Sequence, residues 1–157
     1  MRLTSVSVQE EGMIIQTGIV IFWFLFWLLS VVDKLVSGPG ILWLGQDRLI
    51  QISGYFSSIG LSNPDIAKAF LIFISLAEII ALLLAAGSLW SLVIGNQKAS
   101  RALFFWSILA SLIIFSFFTI GDQSFGEQGE LLKHTTYWLA LIVSWGIYDF
   151  SAISNKR

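Results

Sequence analysis

One glutamate, Glu78, stands inside the apolar stretch that runs from Ala69 to Ile94. An ionised carboxylate at mid-membrane costs at least ~2.5–3.5 kcal/mol even on permissive insertion scales. Glu78 must therefore be paired, protonated or hydrated. It can act as a proton relay, as an anchor for the polar head of a lipid-soluble ligand such as a quinone, or as a neutral acid that pins helix packing. At helical spacing its neighbours are Ser75, Ala81, Ala85 and Ser88. Such a small, polar stripe is expected to face other helices, because small residues let backbones approach and hydroxyls supply partners. Ile74, Ile79 and Leu83 mark the bulkier directions.

Other residues bear on the same chemistry. Asp33 and Lys34 close the first apolar run, where an interfacial charge pair with a snorkelling lysine is expected. Trp23 and Trp27, flanked by phenylalanines, lie in the middle of that run. Their flat rings offer a surface to a quinone head, a pigment or another helix, and lipid-facing or inter-subunit packing is the plainer reading. Tyr137, Ser144, Tyr148 and Ser151 recur at helical spacing near the end of the chain, either lining a wet cavity with Glu78 or serving as packing glue. His134 can supply one tetrapyrrole ligand or exchange a proton, although an ordinary interfacial histidine is the plainer reading.

Composition narrows the chemistry further. The chain has 157 residues, 56% hydrophobic and only 12% charged, so lipid must be its main solvent. A net charge of -1 provides no basic footprint for nucleic acid. With no cysteine and one histidine, the chain has no disulfide, no thiolate metal site and no paired imidazoles, and no catalytic set is evident. No metal or covalently bound cofactor is expected, and a quinone or a lipid is the expected ligand class.

These residues need helices to position them. The pattern predicts an all-α integral membrane protein, a four-helix bundle in a single domain over residues 1–157, with spans at 13–34, 65–94, 102–120 and 135–153. Between the first two spans, Gly38-Pro39-Gly40 breaks helix, and residues 41–61 read as an interfacial amphipathic segment with Trp43 and Tyr55 at headgroup depth. Ser62-Asn63-Pro64-Asp65 is a helix start. Residues 121–130, rich in glycine and acid, read as a loop. An even number of spans puts both termini on one side, and a slight excess of basic residues there makes that side cytoplasmic, in a prokaryotic cytoplasmic membrane.

The layout resembles the DoxX-like family of small four-span membrane proteins, which includes the DoxD-type subunit associated with thiosulfate:quinone oxidoreduction. The likeness runs from about Ile19 to Asp149 and rests on Asp33-Lys34-Leu35 at the end of the first helix, a polar stretch, and Ala77-Glu78 within the second. Asp149 is similar to an acidic residue near the end of the family's last helix. The arginine and later glycine often seen in the family's first helix are absent. The resemblance implies membrane redox systems that handle quinones or sulfur compounds.

The leading expectation is an accessory, non-enzymatic subunit of a larger respiratory or photosynthetic electron-transfer complex, in contact with lipid and other integral membrane subunits, that shapes a quinone or lipid site. The alternative is a small-solute or proton transporter using Glu78. An enzyme that itself oxidises quinol or a sulfur compound ranks third.

Overall fold

A computed structural model describes residues 3–36 and 48–154, with side chains described over 10–34 and 48–151. Five helices make up the described residues: α1 (Leu3–Val36), α2 (Arg48–Ser58), α3 (Pro64–Val93), α4 (Gln97–Phe125) and α5 (Gln128–Ser154). Three of them contain segments long and apolar enough to cross a membrane, Glu10–Lys34, Pro64–Val93 and Gln97–Phe125. The expected four-span bundle is corrected on this point. Helix α5 has the length, but Thr135, Thr136, Ser144, Gly146 and Asp149 dilute its apolar stretch. The even span count used to place both termini on one side goes with it.

The segment expected to lie on the membrane surface contains α2, which closes over one end of the bundle. Arg48 pairs with Asp33 of α1 at 3.0 Å, Phe56 meets Phe70 of α3 edge-on, and Tyr55 stacks on Phe125 of α4. Gly38-Pro39-Gly40 and Trp43 lie outside the described residues.

Local chemistry sets the helix ends. Asn63 caps α3 by accepting a hydrogen bond from the Asp65 amide, with Pro64 in the first turn where its missing N–H costs nothing. Helix α4 runs through Gly121 and stops at Gly126, whose φ of 76° ends the helix in the left-handed region. The expected loop at 121–130 is thereby reduced to a tight reversal. The Gly126 and Glu127 amides both donate to the Asp122 carbonyl, and α5 begins at Gln128.

Inward positions repeat at steps of three and four. On α3 they are Ile74, Glu78, Ala81, Ala85 and Ser88; on α4, Ser100, Phe104, Ser107, Ser111 and Phe115; on α1, Gln16, Val20, Trp23 and Trp27. Association of helices in lipid gains little from hydrophobicity, so close approach and interhelical hydrogen bonds carry more of it, averaging about 0.6 kcal/mol per bond. Ser107 Oγ donates to the Ala81 carbonyl at 2.9 Å, Ser88 and Ser100 hydroxyls meet at 2.9 Å, and Gln16 donates to the Tyr148 carbonyl at 3.3 Å. Phe22, Leu83, Trp90, Trp106 and Phe150 point outward, as a lipid solvent permits.

Candidate functional site

All five helices contribute to one cavity of about 460 Å³ at the end of the bundle that α2 covers. Its apolar wall is aromatic. Phe26 and Trp27 come from α1, Phe115 and Phe118 from α4, and Tyr137 from α5. The Tyr137 ring lies 5.1 Å from Phe26 and 5.3 Å from Phe115, and Trp27 lies 5.5 Å from Phe115. These are ordinary spacings for offset and edge-on aromatic packing, which holds the wall rigid.

Glu78 is 1% exposed, and its two carboxylate oxygens accept from Lys34 Nζ at 2.8 and 2.7 Å. Lys34 also donates to Ser30 one turn earlier on α1. The expected interfacial Asp33–Lys34 pair is corrected: Lys34 turns inward to α3, whereas Asp33 turns to Arg48. Consecutive helical residues point about 100° apart, so adjacent opposite charges on a helix need not face each other. Contact of the ammonium with both oxygens gives the buried acid an opposite charge and hydrogen-bond donors, which answers how it is tolerated inside the bundle.

His134 and Asp122 form the second polar feature. His134 Nδ1 lies 2.5 Å from Asp122 Oδ2, across the reversal at Gly126. Two neighbouring aromatic rings, Phe118 at 4.9 Å and Phe115 at 5.9 Å, fix the imidazole plane. His134 therefore lies within α5 and on the cavity wall. Asp122 escaped the sequence reading because it was assigned to a loop. The signal was present: one glycine able to end a helix, with an acid one turn before it and a histidine two turns after it.

At the rim, Lys133 donates to Glu130 at 2.8 Å. That bond holds the Glu130 carboxyl below its usual range, and the same bond holds Lys133 above its own. Arg48 also lines the cavity, with Gln51 accepting from it at 3.0 Å and donating in turn to the Tyr55 hydroxyl at 2.9 Å.

Glu78, Lys34, Trp27 and Tyr137 thus come together, and three other expected site residues do not. Ser75 bonds back to the Leu71 carbonyl and lies off the cavity, because Ile74 takes the inward position beside Glu78. Trp23 is buried in the core, with its Nε1 unpartnered. Tyr148 belongs to a separate cluster with Ser100 and Ser88, where its hydroxyl meets Ser100 Oγ at 2.9 Å. The hydroxyl stripe of α5 is split for the same reason: Tyr137 and Tyr148 lie three turns apart, and only the first reaches the cavity. Asp149, also on α5, pairs with Arg101 of α4. Among the described residues no group of three His, Asp or Glu side chains gathers to hold a metal ion.

The chain was compared with protein-family models, with curated proteins and with solved structures, and none matches.

Proposed function

We propose that this membrane protein binds a neutral, planar, oxygen-bearing ring of the quinone class, as an accessory subunit of a larger electron-transfer assembly in a prokaryotic cytoplasmic membrane. The observation that carries this reading is that every ionisable side chain on the cavity already has a partner. Lys34 faces Glu78, Lys133 faces Glu130, His134 faces Asp122 and Arg48 faces Asp33. A cavity whose ionisable groups are already partnered favours a neutral guest over an anion or a cation, since an ion would have to displace an existing partner. Aromatic walls suit a flat ring, and the volume lies within the range of small-molecule sites.

A second depression shares Phe26, Ser30, Lys34 and Arg48 with the cavity and adds Leu29 and Asp33. The resemblance to DoxX-like proteins, carried by Lys34 and Glu78, points to the same ligand class.

Trp27 on the cavity wall supplies the readout. Titrating the detergent-purified protein with a short-chain benzoquinone should quench tryptophan fluorescence saturably, and W27F should remove the saturable component. Quenching that rises linearly with concentration, unchanged in W27F, would overturn the reading. The assembly is checked by purification in mild detergent, where a monodisperse chain without companions counts against it.

Proton or solute transport through Glu78 is the competing reading, favoured by the burial of an acid on a cavity. Beyond Glu78, Ala81, Ala85 and Ser88 are buried, and the Ala81 carbonyl and Ser88 hydroxyl bond directly to α4, an arrangement that supports a closed end. Unchanged flux in liposomes carrying E78Q removes that role.

A further inference from the structure

Asp122 and His134 are the one pair on the cavity wall that contains an imidazole, and an imidazole has two distinct nitrogens. Resting on the quinone-class reading above, we propose that His134, oriented by Asp122, presents a hydrogen-bond acceptor to a ring hydroxyl, so that the site selects the hydroquinone form of its ligand over the quinone form. A carboxylate accepts, so the Nδ1 facing Asp122 carries the ring proton. In the neutral ring the lone pair is then on Nε2, which makes no hydrogen bond among the described residues. The Phe118 and Phe115 rings hold the imidazole in place, and the ring is on the cavity wall. The carboxylates of Glu78 and Glu130 already accept from Lys34 and Lys133. His134 Nε2 therefore stands as the uncommitted nitrogen acceptor on this wall. A hydroxyl can donate to it, whereas a quinone carbonyl would set lone pair against lone pair.

The experiment uses three probes of one ring size: a short-chain hydroquinone, its quinone and its dimethyl ether, titrated calorimetrically into the full chain in nanodiscs without oxygen. The unsubstituted protein should bind the hydroquinone about tenfold more tightly than either other probe, the worth of one good hydrogen bond. In D122N the amide can donate to Nδ1 and move the ring proton to Nε2, so the preference should shift toward the quinone. H134F keeps a flat ring in the aromatic wall and should bind all three probes alike. A merely structural pair would weaken all probes together and leave their order unchanged, which overturns the proposal. Equal binding of hydroquinone and dimethyl ether by the unsubstituted protein overturns it without any variant and leaves the quinone-class reading standing. Failure of all three probes to bind removes that reading as well.

Discussion

Lys34 and Glu78, 44 positions apart in the chain, meet in a bidentate ion pair between α1 and α3, with the lysine side chain 13% and the glutamate 1% exposed. The pair joins two helices and forms part of the cavity at once. Its energetics are asymmetric. Removing one partner strands a buried charge, whereas removing both leaves apolar surface that can pack.

K34M should therefore lower stability by about 3 kcal/mol, at the lower end of the cost of breaking a buried pair because the stranded acid can take up a proton. The double variant K34M/E78M should recover most of the loss. Thermal unfolding in detergent, arranged as a double-mutant cycle, measures the coupling. A double variant as unstable as K34M would show that the pair does not hold α1 against α3.

Trp23 and Trp27 offer a paired test of hydrogen bonding in the core. Both are 1% exposed, but Trp27 Nε1 donates to Ser111 Oγ at 2.9 Å and Trp23 Nε1 is unpartnered. W27F should cost about 1 kcal/mol more than W23F, since it loses a bond while W23F removes an unsatisfied donor. Equal losses in chemical unfolding would assign both costs to volume.

Gly126 carries a φ of 76°, in the left-handed region, and a Cβ there would meet no neighbouring atom within 4 Å. G126A should therefore cost about 1 kcal/mol through backbone strain, with no steric clash, and G126N less. The reversal at Gly126 also aligns Asp122 with His134. In G126P the α4–α5 turn should be disrupted and the histidine ring resonances should move, which NMR reads directly.

Glu130 and Lys133 set the pH response at the cavity rim. The Glu130 carboxyl titrates below its unfolded value because Lys133 donates to it. Its stabilising effect is thus present above the unfolded carboxyl value and is lost as pH falls through the lowered folded value. Lys133 titrates above its unfolded value, so its effect is present below the unfolded lysine value and is lost as pH rises through the raised folded one. Both groups are near solvent and the effect on stability is small and salt-sensitive. Carboxyl NMR should show the Glu130 midpoint rising toward the ordinary range in K133Q, and an unmoved midpoint would contradict the pairing.

Much of the fold is legible in the residues themselves. Low charge and long apolar runs mark a membrane protein, Asn63-Pro64-Asp65 starts α3, and the spacing around Glu78 turns Ala81, Ala85 and Ser88 inward together. These features depend on the local chain and its helical period, which a linear sequence states directly. The same residues misled where local patterns compete. The apolar residues of α5 suggest a span until its hydroxyls, glycine and aspartate are weighed with them, and the glycines and acids of 121–130 suggest a loop although α4 continues through Gly121 and Asp122.

Partner choice belongs to the tertiary structure. Neighbouring Asp33 and Lys34 part company because one step along a helix rotates the side chain by about 100°, and only the packing of α1 decides which of them meets Glu78. Asp122 and His134 become a pair because a reversal at one glycine folds α5 back along α4. Tyr137 reaches the cavity and Tyr148 does not, because three helical turns separate them and the packing of α5 on α4 seats Tyr148 against Ser100 and Phe104. The residue types that a membrane site needs are written along the chain; which of them share a cavity is set by helix rotation and packing, to which no single stretch of sequence has access.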